Sequence, residues 1–196
     1  EFERLKYRWA YRVVDSNSFA LPQRRERVYL VASTAGDPSE VLLADDEPLQ
    51  RPTTDLSRCA HGFYWTVGRG GLGWAVDAVP TLKNGSTIGI ASPPAILLQD
   101  GRLVKPGIRT AERLQGFDED WTIAAETIAK PASRWALVGN AVSVPVPRWI
   151  GTRIETPGVY ESERDRPFPA FGKAPRAARF DGKQRFSVAI STDPLG

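Results

Sequence analysis

The chain has 196 residues, 41% hydrophobic and 10% aromatic, enough for one ordinary domain or two small lobes sharing a boundary. No apolar run approaches the ~20 residues of a membrane span, and Glu1-Phe2-Glu3-Arg4 is unlike a signal peptide, so a soluble, cytoplasmic protein with no membrane partner is expected. A single cysteine, Cys59, excludes an internal disulfide framework, and with one histidine, His61, there is too little for a nitrogen/sulfur zinc site; no metal is expected. The net charge of +3 permits a nucleic-acid partner without requiring one.

Basic residues crowd the start (Arg4, Lys6, Arg8, Arg12, Arg24, Arg25, Arg27), whereas Asp37, Glu40, Asp45, Asp46, Glu47 and Asp55 make the next stretch acidic. This segregation predicts one face that attracts phosphates and another that repels them. Tyr11–Asp15 and Arg27–Ala32 are β-rich runs of strand length and read as buried strands of one sheet. A chain that opens on such strands, with no helices before them to cover the sheet, reads as cut from something larger. From Gly36 to about Pro80 the residues are acidic and Pro-rich and include Gly68-Arg69-Gly70-Gly71-Leu72-Gly73, with no sustained helical period. The glycine run is not a dinucleotide fingerprint, because the alternating Trp74–Pro80 follows it instead of a helix.

Two hairpins are predicted next, one turning at Asn84-Gly85 and one at Asp100-Gly101 between Ile96–Leu98 and Leu103-Val104. Thr110 is a plausible N-cap for a short helix that Gly116 stops. Another helical segment runs from Thr122 to Ala129, and a further turn begins at Ser133 and reaches Gly139-Asn140. Pro145 and Pro147 are tolerated in the first turn of a closing helix whose Trp149, Ile150 and Ile154 share a face. Beyond Pro157 a Pro-, Arg- and Asp-rich surface extension is expected, with one strand over Arg185–Ile190.

Pro22–Arg27 leads straight into a strand, which holds its arginines at a sheet end where rigid guanidinium forks suit phosphates and base edges. The stretch Leu21-Pro22-Gln23-Arg24-Arg25-Glu26-Arg27-Val28-Tyr29-Leu30-Val31 resembles the eighth motif of DNA (cytosine-5) methyltransferases. Arg109–Phe117 is similar to the ninth motif and Val138–Val146 to the tenth, in the family's order. Pro80-Thr81-Leu82 resembles the Thr-Leu step of the target recognition region, and the match spans roughly Tyr11 to Ile154.

The resemblance implies an α/β fold, the C-terminal part of an S-adenosylmethionine-dependent, Rossmann-like methyltransferase domain with an inserted small β-rich recognition lobe. Residues 1–34 would be the last strands of the catalytic domain, 35–108 the target recognition region, 109–156 the hinge and closing helices, and 157–196 an extension. Gln23, Arg25 and Arg27 would face the DNA and a flipped cytosine. Arg27 would touch the base and Arg25 would pair with a carboxylate outside this chain, although the two could exchange roles. Arg24, Arg69, Gly70, Gly71, Thr81, Leu82 and Lys83 would contact DNA, with glycine permitting close backbone approach. Arg113–Phe117 would form a packed hinge. Asn140, Ala141 and Val142 would contact S-adenosylmethionine, helped by the positive end of the closing helix.

Methylating carbon 5 of cytosine requires a thiolate adding to carbon 6, an acid at N3 and a flipped base. In the family the cysteine precedes these motifs, so Cys59, inside the recognition region, is not that nucleophile; a Cys59/His61 pair is set aside in favour of a loop thiol. The family's glycine-rich cofactor loop and Glu-Asn-Val segment also precede the eighth motif and have no counterpart here. The expectation is therefore a portion of a cytosine methyltransferase, inert alone, acting on a short duplex sequence with an N-terminal half supplied as a separate chain or missing segment. The role would be restriction-modification, phage defence or regulation. The alternatives are a non-catalytic DNA-binding specificity module and a decayed remnant.

Overall fold

The computed structural model of the 196-residue chain describes residues 1–47, 55–64, 73–83 and 93–195. In chain order the strands are β1 (Arg8–Asp15), β2 (Gln23–Arg24), β3 (Glu26–Ser33), β4 (His61–Phe63), β5 (Trp74–Val76), β6 (Val79–Pro80), β7 (Ala95–Leu97), β8 (Leu103–Val104), β9 (Asp165–Pro167), β10 (Ala177–Phe180) and β11 (Arg185–Val188). The α-helices are α1 (Ser39–Leu42), α2 (Ile108–Leu114), α3 (Ser133–Asn140) and α4 (Pro145–Glu155), so the fold mixes helix and sheet. Two compact units divide the chain: Glu1–Ser18, Glu26–Gln50 and Pro147–Gly196 form the first, and Phe19–Arg25 with Arg51–Val146 the second.

The first unit is built on an antiparallel sheet in the order β3-β1-β10-β11-β9. Period-two alternation puts Ala10, Arg12 and Val14 of β1 on the buried face, while Trp9 stacks on Tyr11 at 5.9 Å and on Phe180 at 6.2 Å. Leu42 and Leu43 at the end of α1, Trp149 of α4, and Ala177, Ala178 and Val188 of the later strands are also buried. Three expectations are corrected. The β3 strand shares a sheet with β1 as predicted, and pairs with it, but is an edge strand and not buried, with Val28 65% and Leu30 46% exposed. Residues beyond Pro157 are no mere surface extension, because β9, β10 and β11 belong to this sheet and β10 lies directly against β1, Arg12 opposite Ala177. Arg12 does not join a phosphate-attracting face: it is fully buried and donates to the carbonyls of Ser191 (3.0 Å), Leu42 (3.3 Å) and Asp45 and to Asp46 Oδ1 (3.2 Å). Burial pulls this guanidinium down to about 10 against the opposing pull of Asp46, Asp45 and Asp193.

Asp45 also accepts from Trp149 Nε1 (2.8 Å) and from Arg153 Nε (2.6 Å), fixing α4 to the acidic segment of this unit. Trp149 is buried as expected of the closing helix, whereas Ile154 is 59% exposed and falls off its apolar face.

The second unit holds an antiparallel sheet in the order β5-β4-β7-β8 and a parallel pair, β2 with β6. The region between Gly36 and Pro80, expected to be irregular, contains α1 in the first unit and β4, β5 and β6 in the second. The Asp100-Gly101 hairpin forms as predicted: β7 pairs with β8, and Gly101 turns at φ +80°. The predicted hairpin at Asn84-Gly85 lies outside the described residues. Gly107, not Thr110, precedes α2, and Thr110 lies within its first turn. Gly116 ends that helix at φ +84°, where a Cβ would come within 2.7 Å of Pro145 Cδ. The segment from Thr122 is a 3-10 turn, Ile123–Thr127. Val79, Leu82, Ala111, Leu114 and Val138 form a core cluster with Ile96, Ile108 and Trp135 packed on it.

Candidate functional site

Within the second unit, residues of the three motif-like segments converge on the end of α3. Val79 N donates to Pro22 O (2.8 Å) as β2 pairs with β6, and this lays Gln23 beneath the Thr81-Leu82 step. Gln23 is fully buried. Its Nε2 donates to Leu114 O (2.9 Å) and Gln115 Oε1 (3.1 Å), and its Oε1 accepts from Leu82 N (3.0 Å). Gln115, also fully buried, donates from Nε2 to Val138 O (2.8 Å) and accepts from Ser143 Oγ (2.8 Å), while Val144 N donates to its backbone carbonyl (2.8 Å).

The last carbonyls of a helix lack intrahelical partners. Here Val138 O takes Gln115, and Arg25 Nη2 donates to Gly139 O (3.3 Å) and Ala141 O (2.7 Å). A cation at this end also suits the negative pole of α3. Arg25, expected to meet a carboxylate, is buried and meets these carbonyl oxygens. The turn they hold presents Asn140 and Val142 to solvent, with Ala141 partly covered. These are the three residues expected to contact the cofactor.

The other expected residues are distributed as follows. Arg24 is half-buried on β2, and its carbonyl accepts from Thr81 Oγ1 (2.9 Å). Leu82 is buried in the core cluster, so only its neighbours Thr81 and Lys83 retain exposure. The Lys83 ammonium lies 4.3 Å from the centre of the Tyr64 ring. Arg27 belongs to the first unit, where it is exposed on β3 and donates to Glu26 O (2.7 Å). Arg69, Gly70 and Gly71 lie outside the described residues.

A constellation that sequence reasoning missed surrounds Glu112 in α2. Its fully buried carboxylate accepts from Asp120 N (2.7 Å), Thr122 N (2.9 Å) and Arg134 Nη2 (3.0 Å). Arg134 also reaches Asp120 (3.0 Å), Glu126 (2.8 Å) and Thr122 Oγ1 (3.0 Å). Burial alone would push the Glu112 carboxyl up, but the bonds from Thr122, Arg134 and Asp120 outweigh it and hold it below the usual range. The signal available in sequence was a carboxylate between apolar Ala111 and Leu114. The Cys59 thiol is buried and pushed up by that burial, by its bond to Asp77 and by the charges of Asp77 and Asp55, which disfavours the thiolate. His61 bonds Leu56 O through Nε2 (3.0 Å) and packs on Trp74 (5.0 Å). Among the described residues no cluster of ligating side chains could hold a metal, and no helix is long and apolar enough to cross a membrane.

No family model matches the chain. It is 51% identical over 161 residues to the Type II methyltransferase M2.BsuMI of Bacillus subtilis (strain 168), a stretch covering 78% of this chain and 41% of that protein. The chain thus spans about two fifths of the length of the curated relative it matches. Identity of this order over most of the chain supports a methyltransferase relationship.

Proposed function

We propose that this chain is the portion of a DNA (cytosine-5) methyltransferase that reads duplex DNA and closes the cofactor pocket, in an enzyme of restriction-modification type. The observation that carries the reading is the convergence of Gln23, Arg25 and Gln115, from the eighth and ninth motifs, on the tenth-motif turn at Val138–Ser143. A remote likeness of short motifs gives no reason for those side chains to meet; a shared site does. The similarity to a Type II methyltransferase supports the same reading.

The exposed turn fits S-adenosylmethionine in chemistry. Exposed Asn140 puts a carboxamide on that turn, the polar chemistry that suits the amino-acid end of the cofactor, and exposed Val142 offers apolar surface beside it. When bound, the cofactor supplies the methyl group. Arg25 acts on it only by fixing the carbonyls of the turn. Arg27, exposed and free to reorient, contacts the target cytosine, while Arg24, Thr81 and Lys83, with Arg69, Gly70 and Gly71, meet phosphates and base edges. Gln23, enclosed as it is, serves by holding Leu82 in place and not by touching DNA. The nucleophilic cysteine and the acid at N3 come from the N-terminal part of the enzyme, and the assembled protein works in the cytoplasm.

The test is co-expression with a partner polypeptide bearing a Pro-Cys motif, followed by transfer of labelled methyl groups to DNA. Incorporation at carbon 5 of cytosine only when both parts are present is the expected result. Salt-sensitive duplex binding without methyl transfer under any pairing would replace this reading with that of a non-catalytic specificity module.

A further inference from the structure

Three hydrogen bonds form a directed chain through the core of the second unit. Leu82 N–H donates to Gln23 Oε1 (3.0 Å), Gln23 Nε2 to Gln115 Oε1 (3.1 Å) and Gln115 Nε2 to Val138 O (2.8 Å). A backbone donor at one end and a backbone acceptor at the other fix the orientation of both carboxamides. Both glutamines are fully buried, so aligned amide dipoles polarise one another without competition from solvent. Ser143 Oγ joins the far end at Gln115 Oε1 (2.8 Å).

One end of this chain is the Thr81-Leu82 step and the other is the turn that presents Asn140 and Val142. A buried amide without its partner is costly, so a displacement of Leu82 is passed along the chain instead of being absorbed in it. We propose that Gln23 and Gln115 are positioning residues that couple the seating of Thr81-Leu82 on duplex DNA to the shape of the cofactor turn, so that recognition of the target sequence tightens that turn. The inference rests on the function proposed above. Leu82, Leu114 and Val138 pack in one apolar cluster beside the relay, which gives the unit support independent of the amides.

The experiment uses the full chain and 30-base-pair duplexes enriched on it from a random-sequence pool. Amide exchange at residues 139–144 is compared with and without duplex, and duplex binding is expected to slow it at least about fivefold, the lower range of coupling between sites. Gln23→Met and Gln115→Met conserve volume and cut the relay. Gln115→Met is expected to bind duplex within about threefold of the parent yet lose the added protection; Gln23→Met, which also releases Leu82 N, is compared at saturating duplex and is expected to lose the same protection, and the double variant to lose no more than either single one, as members of one chain must. Ser143→Ala, which removes only the side branch, is expected to lose part of the protection and serves if a methionine variant does not fold. Additive losses in the double variant, or protection unchanged in the parent when duplex binds, would overturn the coupling and leave the proposed function standing. Failure to enrich any duplex would instead overturn the proposed function and this inference with it.

Discussion

Replacing Glu112 by alanine removes the acceptor for Asp120 N, Thr122 N and Arg134 Nη2 at once, and leaves the Arg134 side chain, 4% exposed, with Asp120 and Glu126 as its remaining carboxylates. Breaking one partner of a buried pair costs roughly 3–5 kcal/mol. Asp120 and Glu126 are partly exposed and compensate only weakly, so the cost of Glu112→Ala belongs in that range. Glu112→Gln keeps the shape and some acceptors and is expected to cost about 1–3 kcal/mol. With a urea slope of about 2 kcal/mol/M, the alanine variant should lower the midpoint of the second unit by roughly 1.5–2.5 M. Pulsed amide exchange across urea, read on peptides covering residues 108–116 and 133–140, isolates this unit from the first. A midpoint within about 0.5 M of the parent, or equal midpoints for the alanine and glutamine variants, would refute the claim that the buried charge organises these helices.

The same carboxylate sets a pH dependence. Glu112 and Asp120 are held below their ordinary values when folded, so their contribution is complete above about pH 4.5 and is lost as pH falls through the depressed folded values, which acid titration by circular dichroism should record. At the alkaline end, buried Tyr64 is pushed up to about 12, so stability should fall as pH rises from about 10, where the unfolded phenol ionises, towards the folded value; Tyr64→Phe should flatten that limb. In the assembled enzyme, Arg27→Ala should lower methyl transfer about 100-fold or more while leaving the melting temperature within experimental scatter, because the side chain is exposed and bonds only the neighbouring Glu26 carbonyl among the described contacts. Asn140→Ala should weaken cofactor binding by calorimetry, since Asn140 lies on the exposed side of its turn.

The elements legible in sequence are those whose own residues specify them. The β1 and β3 strands carry apolar, β-branched runs, and Asp100-Gly101 and Gly116 announce backbone that turns at positive φ. That Gln23 and Gln115 meet was not legible, because contact across 92 positions leaves no local trace. The β10 strand was missed for a physical reason: Ala177-Ala178-Arg179-Phe180 has weak intrinsic strand preference and owes its conformation to pairing with β1. Arg12 was misread as surface because neighbouring basic residues suggested a cationic face. Its alternation with Ala10 and Val14 was the better guide, and the acidic segment expected to repel phosphates supplies its partners.

The pairing of β1 with β10 also fixes an order of events during synthesis. Residues 8–15 emerge from the ribosome long before 177–180, and at about 5–20 residues per second the first strand waits roughly ten to thirty seconds for its neighbour. The second unit, complete by Val146, can condense during that interval. The nascent first unit meanwhile carries β1 with one uncovered edge, the stretch of chain most open to pairing with a second nascent copy or to capture by a chaperone that holds extended segments.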